Sequence, residues 1–151
     1  MGCGKSSVAR ELGERIGVPV IDLDREIERI TNRTIPEIFG SDGESGFREV
    51  EFKVLKDTLT LNRGILATGG GAPCYKDSLK MLLDWGDVVF LDVPFDVLEA
   101  RVSYGSGRPN WRSDAERLYL ERLPIYRQAN IYVDASLSIE EVASDIVGRL
   151  S

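Results

Sequence analysis

Three residues near the start of the chain, Gly4, Lys5 and Ser6, are of types that bind phosphate. They fit the second half of the phosphate-binding pattern G-x-x-x-x-G-K-[ST], and apolar residues at helical spacing follow them. In such a loop, backbone N–H groups and the helix N-terminus surround phosphate oxygens, the lysine reaches the β- and γ-phosphates, and the serine binds Mg²⁺. The first glycine of the pattern would lie two positions before Met1. A half pattern also fits an ordinary glycine turn before a helix, so the other residues must decide.

Two acidic residues, Asp22 and Asp24, follow a short apolar segment at residues 18–21. Carboxylates at the end of a strand can hold a metal ion, directly or through water, and can accept a hydrogen bond from a substrate hydroxyl group. Acidic residues in front of a helix are also common helix caps. Taken alone, the spacing favours helix caps and leaves the ligand role as the alternative.

Arg48 lies one helical turn from both Glu44 and Glu51. One interpretation is an ion pair on a solvated helix face, which contributes little to stability. The other is a guanidinium group that the two carboxylates hold in place so that it can bind a carboxylate or a phosphate. Taken alone, the spacing favours the surface ion pair.

Three consecutive glycines, residues 69–71, follow a predicted buried strand. Glycines in series cost backbone entropy and supply no side-chain packing, so close approach of the backbone to a ligand is the favoured explanation.

Three further arginines are candidates for binding anions. Arg108 lies in a loop that contains two glycines and a proline, and Arg101 lies seven residues earlier on a predicted helix. Both are ordinary surface cations unless a nucleotide binds nearby, in which case a loop arginine can close over the phosphates and neutralise their charge. Arg122 lies at the end of a predicted helix, where a cation is favourable for local reasons as well.

The composition limits the classes of function. A chain of 151 residues with 42% hydrophobic residues is long enough for one domain with one core. The net charge of −6 argues against a broad nucleic-acid or anionic-membrane surface, so a bound anion must be held by a local cluster of cations. The absence of histidine removes the commonest general base, which leaves carboxylates, cations and metal for any chemistry. Two cysteines and no apparent signal or membrane segment predict a cytoplasmic protein.

The elements that must position these residues alternate along the chain. Strands are predicted at residues 18–21, 64–68, 88–91 and 131–133. A first helix follows residues 1–7 and ends at Gly17, and further helices are predicted at residues 25–30, 44–61, 78–83, 95–102, 113–126 and 139–150. Thr34 to Glu37 forms a capping-box pattern that opens a short helical piece, and residues 40–46 are predicted to form a glycine-rich turn. Short apolar strands between helices predict an α/β fold with a parallel sheet covered on both faces, in which ligands bind beyond the C-terminal ends of the strands.

Together, the motifs occur in a specific order. They are Gly2-x-Gly4-Lys5-Ser6, Asp22-Leu23-Asp24, Ile35-Pro36-Glu37-Ile38-Phe39, Gly43-Glu44 with Phe47-Arg48 and Glu51, Thr68-Gly69-Gly70-Gly71, Arg108-Pro109, and Arg122 with Pro124 and Tyr126. This order resembles the shikimate kinase family over nearly the whole chain. The resemblance implies a single three-layer αβα domain of the P-loop kinase type, residues 1–151, with a substrate-binding segment at about 24–61 and a lid at about 103–113. Its parallel sheet normally has five strands in the order 2-3-1-4-5, of which the first is absent here.

The resemblance also implies residue roles. ATP binding is implied for Gly2, Gly4, Lys5, Ser6, Ser7, Arg101 and Arg108. Lys5 corresponds to the P-loop lysine, Arg101 to an arginine that lies against adenine, and Arg108 to a lid arginine that reaches the phosphates. Ser6 and Asp22 are the implied Mg²⁺ ligands.

Shikimate binding is implied for Asp24, Arg48, Gly70, Gly71 and Arg122. Arg48 and Arg122 correspond to the pair that binds the substrate carboxylate. Asp24 corresponds to the aspartate that hydrogen-bonds the hydroxyl groups and accepts the proton of the attacking one. The implied catalytic residues are thus Lys5, Asp24 and Arg108.

The implied reaction is transfer of the γ-phosphate of ATP, with Mg²⁺, to the 3-hydroxyl of shikimate in aromatic amino acid biosynthesis. We expect a monomer that binds neither nucleic acid nor membrane. Two alternatives are a kinase of another small hydroxy acid or sugar and an inactive phosphate-binding relic with a shortened loop. Two features depart from the family pattern: Asn110-Trp111-Arg112 stands where leucines are usual, and Met1 is expected to be an internal methionine of a longer natural chain, which would leave the 151-residue form less stable or less active.

Overall fold

A computed structural model describes residues 3–102 and 111–150, with side chains for residues 3–99 and 114–150. The helices are α1 (Lys5–Ile16), α2 (Leu23–Thr31), α3 (Ile35–Thr58), α4 (Ser78–Trp85), α5 (Phe95–Val102), α6 (Trp111–Tyr126) and α7 (Ile139–Arg149). The strands are β1 (Val20–Asp22), β2 (Ile65–Ala67), β3 (Val89–Asp92) and β4 (Ile131–Asp134). A short 3₁₀ turn, Ala72–Cys74, which the sequence did not predict, follows β2.

The four strands form two parallel pairs. β1 pairs with β2, with Ile21 opposite Leu66, and β3 pairs with β4, with Phe90 opposite Tyr132. Within the described residues, no hydrogen-bonded pairing joins β2 to β3. This is the arrangement expected when the central first strand is missing from a parallel sheet of order 2-3-1-4-5.

The apolar core has two parts, one on each side of the gap between β2 and β3. One part joins α1, β4 and α7, and its buried residues include Val8, Leu12, Val133, Val142 and Ile146. The other joins α2, α3 and α4, and its buried residues include Leu23, Ile27, Ile38, Leu55 and Leu82. The side chains of β2 and most of those of β3 are only partly buried, since residues of both strands line a cavity between the two pairs.

Local sequence signals explain where several helices begin and end. α1 ends at Gly17, which adopts the left-handed conformation (φ 66°) that favours glycine. Capping boxes begin α3, through Thr34 and Glu37, and α7, through Ser138 and Glu141. The helix starts at these two capping boxes were predicted correctly.

The break predicted over residues 40–46 is present but shorter than expected, since two helical segments meet at a kink at Gly43. α3 continues through this segment, and only Gly43 leaves the helical conformation, with φ 70° and ψ −176°. The rings of Phe39 and Phe47 stack across this kink with centroids 4.5 Å apart. This ring contact joins the two helical segments across the kink.

The predicted lid, residues 103–113, is described only in part. Residues 103–110, which include Arg108, lie outside the described residues, and residues 111–113 belong to the first turn of α6. Across the described part of the chain, no helix combines the length and hydropathy required to cross a membrane.

Candidate active site

A cavity of about 900 Å³ contains most of the residues predicted to act on substrate. It extends from the ends of β1 and β2 into the space between β2 and β3. Its lining includes Lys5, Asp24, Arg48, Gly70, Gly71 and Arg122. These residues come from four helices and from the loop after β2, so the fold gathers residues that are up to 117 positions apart in the sequence. Three of them are cations, which makes the cavity suitable for anionic ligands in an otherwise acidic chain.

The N-terminus of α1 brings together residues predicted to bind phosphate and metal. Gly4 precedes the helix in the left-handed conformation (φ 80°), which only glycine adopts without strain. The Ser6 hydroxyl donates a hydrogen bond to Asp22 Oδ2 at 3.0 Å. Lys5 Nζ lies 3.6 Å from Cys3 Sγ and points into the same cavity.

Asp22 serves as a helix cap and as a partner of Ser6 at the same time. Its Oδ1 accepts hydrogen bonds from the backbone N–H groups of Asp24 (3.1 Å) and Arg25 (3.4 Å) at the start of α2. Its Oδ2 remains directed to Ser6. The two interpretations that the sequence left open are therefore compatible.

Arg48 is a positioned side chain and not a member of a solvated surface pair. Its Nη1 donates to Glu51 Oε2 at 2.5 Å, and Glu51 is only 2% exposed. Glu44 Oε1 lies at 3.9 Å from Nη2 and is largely exposed. Burial raises the pKa of Glu51, although the hydrogen bond from Arg48 opposes that shift. The preference for a surface pair was thus wrong, because α3 turns this face toward the cavity.

The glycine triplet makes room for side chains of the site. A Cβ on Gly71 would overlap the guanidinium group of Arg48, and one on Gly70 would lie 2.9 Å from the hydroxyl of Tyr126. None of the three glycines has a left-handed φ. Gly70 and Gly71 are required here for space, since their backbone lies directly against groups that line the cavity, whereas a Cβ on Gly69 would make only ordinary contacts with Glu51 and Asp24, at 3.5 Å and 3.6 Å.

The surroundings of Asp24 shift its pKa. Burial raises the pKa of Asp24 above its usual value, and the neighbouring charge of Asp22 adds to this rise, whereas Lys5 and Arg48 lower it. A carboxylate with a raised pKa is a better proton acceptor than an exposed aspartate.

Tyr126 is a site residue to which the sequence assigned no role beyond its place in a motif. Its hydroxyl donates to the carbonyl oxygen of Gly70 at 2.5 Å, and it lines the cavity. Its spacing of four residues from Arg122 on a helix was the available signal, because such residues lie on one face.

A family model described as shikimate kinase matches residues 1–151. The chain belongs to the shikimate kinase family. It is 38% identical to the shikimate kinase of Ruegeria pomeroyi, over 100% of this chain and 81% of the relative. It is 34% identical to that of Aquifex aeolicus, over 97% of this chain and 89% of the relative.

Solved shikimate kinases have the same fold. The structure from Bacteroides thetaiotaomicron has a TM-score of 0.90 at 32% identity, and covers 98% of this chain and 92% of its own. The structure from Acinetobacter baumannii in complex with shikimate has a TM-score of 0.88 at 35% identity. The match covers 97% of this chain and 86% of the other. A gluconokinase from Sinorhizobium meliloti, at 21% identity and a TM-score of 0.66, shares the fold alone. These matches confirm the predicted fold class. They also confirm the prediction of a phosphotransferase that uses ATP and Mg²⁺.

The oxygens of Ser6 and Asp22 fit a magnesium ion whose coordination shell is completed by other ligands. Mg²⁺ prefers oxygen ligands, keeps several waters, and usually takes one or two protein ligands together with substrate phosphates. Ser6 and Asp22 supply such oxygens side by side. Among the described side chains, no group of three or more cysteine, aspartate or glutamate residues is placed to hold a metal ion.

Three predicted ATP-binding residues cannot be placed in the site. Gly2 and Arg108 lie outside the described residues. Arg101 lies within α5, but its side chain is not described. Their roles stay predictions.

Proposed function

We propose that this chain transfers the γ-phosphoryl group of ATP to the 3-hydroxyl group of shikimate. The observation that carries the proposal is the convergence of Lys5, Asp24, Arg48 and Arg122 on one cavity in a chain of the shikimate kinase family. The product, shikimate 3-phosphate, belongs to the biosynthesis of aromatic amino acids. We further propose that the enzyme acts as a cytoplasmic monomer without a nucleic-acid partner.

Shikimate is held in this proposal by opposite charges and by close backbone contact. Arg48 and Arg122 bind the carboxylate, for which their planar donor groups are suited. Asp24 accepts hydrogen bonds from the hydroxyl groups. Gly70 and Gly71 lie next to the ring in this proposal, and their lack of side chains leaves room for Tyr126 and Arg48.

ATP is held at the N-terminus of α1. Backbone N–H groups of the loop surround the phosphates, and the side chain of Lys5 neutralises the β- and γ-phosphates. Ser6 and Asp22 hold Mg²⁺, which when bound offsets the charge of the phosphate oxygens. Arg101 contacts adenine, and Arg108 reaches the phosphates from the lid.

The chemistry requires orientation, charge neutralisation and one proton acceptor. The 3-hydroxyl oxygen forms a bond to the γ-phosphorus as the bond to the β-phosphate oxygen breaks, and the hydroxyl proton passes to a carboxylate oxygen of Asp24. ADP leaves with the electron pair of the broken bond. Because the transition state of phosphoryl transfer is loose, positioning by Arg48 and Arg122 and neutralisation by Lys5 provide most of the rate enhancement.

A coupled assay of ADP release with shikimate tests the proposal. We expect turnover with shikimate and much less with other hydroxy acids, including gluconate. Arg48→Ala should raise the KM for shikimate by at least about tenfold, since a charged hydrogen bond contributes roughly 1.5–3 kcal/mol, with little change in the KM for ATP. Asp24→Asn should lower kcat by about 10²- to 10⁴-fold, the range for general base catalysis. Equal turnover of all acceptors, or binding of ATP without any turnover, would refute it.

A further inference from the structure

The C-terminal part of α6 lacks part of its own backbone support. Pro124 lies inside this helix and has no N–H to donate to the carbonyl of Leu120, so the turn from Leu120 to Pro124, which contains Arg122, has one hydrogen bond fewer than a regular helix. Arg122 nevertheless lines the cavity, where its guanidinium group must be aimed if it is to bind an anion. Contacts outside the helix must therefore fix the orientation of this turn.

Tyr126 provides such contacts. Its hydroxyl donates to the Gly70 carbonyl oxygen at 2.5 Å, across 56 positions in the sequence. Its ring packs on Phe90 of β3 with centroids 5.2 Å apart. Arg122 lies on the same side of Gly70 as this hydroxyl. A Cβ on Gly70 would be 2.9 Å from the Tyr126 hydroxyl and 3.7 Å from Arg122 Nη1. Burial raises the pKa of Tyr126, and the charge of Arg122 lowers it.

The loop after β2, which carries Gly70, is held by its own backbone hydrogen bonds. The N–H of Ala72 donates to the Gly69 carbonyl at 3.2 Å, and that of Cys74 donates to the Gly71 carbonyl at 3.0 Å. The carbonyl of Gly70 accepts the hydrogen bond from Tyr126 at 2.5 Å and a longer contact from Cys74 Sγ at 3.7 Å. A movement of the Tyr126 hydroxyl would thus shift Gly70, which lies next to Arg122 and directly precedes Gly71, the neighbour of Arg48.

We propose that Tyr126 is a positioning residue whose hydroxyl ties the glycine loop (residues 69–71) to α6 and thereby aims Arg122 at the carboxylate of the substrate. The part that concerns the substrate rests on the proposed function. Tyr126 does not contact the reacting atoms in this proposal. It acts through Arg122 and Gly70.

Tyr126→Phe is the direct test, because it removes one oxygen and keeps the ring on Phe90. The matched control is Tyr132→Phe: the Tyr132 ring also packs against Phe90, and its hydroxyl also donates to a backbone carbonyl, that of Arg127, but it lies outside the cavity lining. We expect Tyr126→Phe to raise the KM for shikimate about tenfold, the effect of losing one well-placed hydrogen bond. The KM for ATP should change less than about twofold, and the control should change neither value by more than that.

Two further measurements separate positioning from a merely structural effect. In an Arg122→Lys enzyme, whose amine binds carboxylate without a fixed fork geometry, Tyr126→Phe should raise the KM for shikimate by less than about twofold. In amide hydrogen exchange of the ligand-free protein, peptides that contain residues 69–74 should exchange faster in Tyr126→Phe than in Tyr132→Phe.

The outcomes distinguish this inference from the proposed function. Unchanged exchange in residues 69–74 would overturn the tie between Tyr126 and the loop, and a full tenfold rise in both arginine backgrounds would overturn its action through Arg122. If the unmodified enzyme neither binds nor phosphorylates shikimate, the proposed function fails, and the exchange comparison still decides whether the tie exists.

Discussion

Asp24 and Glu51 are carboxylates in an environment that disfavours their charge. Burial is the largest cause of the raised pKa of each, and each lies near Arg48, whose charge opposes the shift. Such groups do not serve the stability of the fold, because a buried charge costs free energy that a single partner recovers only in part. Both side chains line the cavity, and carboxylates with a raised pKa in a cavity are typical of binding sites.

The raised pKa of Asp24 predicts a pH-dependent gain in stability for Asp24→Asn. The folded protein binds the proton of Asp24 more tightly than the unfolded chain, so ionisation destabilises the fold as the pH rises from the ordinary value of 3.8 through the folded pKa. At neutral pH, the variant should have a higher Tm than the unmodified chain. The gain should shrink as the pH falls toward 3.8, which thermal unfolding across pH 3.5 to 7 measures.

The control for this experiment is Asp77→Asn, which changes an exposed aspartate at the start of α4 that makes no side-chain cap hydrogen bond. It should give no such gain. A gain for Asp24→Asn that stays constant over the whole pH range would contradict the explanation.

At the scale of elements, α3 connects the cavity to the core. It buries Ile38 before its kink and Phe47, Val54 and Leu55 after it, and it presents Arg48 and Glu51 to the cavity. The kink at Gly43 re-aims the second part of the helix. The direction of the Arg48 side chain therefore depends on a single residue five positions earlier.

Substitution of two glycines in α3 should have opposite effects. Gly43→Ala should lower the free energy of unfolding by about 1–3 kcal/mol, since φ 70° with ψ −176° is open almost only to glycine. Gly40→Ala should raise it by about 0.5–1 kcal/mol, because Gly40 is helical and a Cβ there meets no atom within 4 Å. Chemical denaturation of both variants measures the difference. Equal effects would show that the kink is not required.

At the scale of the whole molecule, the two strand pairs leave facing edges. Residues of β2 and β3 line the cavity between the pairs, and apolar side chains such as Leu66 and Leu91 face this space. Strand edges without partners and partly exposed apolar side chains are unfavourable for stability.

An added strand should stabilise this arrangement. We expect a chain extended at its N-terminus by a strand-forming apolar segment to have a higher Tm and a higher affinity for ATP, because such a strand pairs with both edges and leads directly into the phosphate loop. An extension of equal length with prolines at alternate positions, which cannot form the ladder, is the control. Equal Tm and equal ATP affinity in all three chains would contradict the expectation.

The sequence by itself determined local features of the fold and the family. The capping boxes at Thr34 and Ser138 and the stop at Gly17 depend on contacts within one or two turns, so their residues predict them. The order of motifs was specific enough to indicate the family, which the family model confirmed.

Only the tertiary structure decided how the site is built. Arg48 had a surface spacing pattern, but the packing of α3 buries its partner Glu51 and places its guanidinium group against Gly71. The hydrogen bond from Tyr126 to Gly70 joins residues 56 positions apart, and no local pattern specifies such a pair. Local signals are set by neighbours along the chain, whereas burial, pKa and the aim of a side chain are set by groups that folding brings from elsewhere.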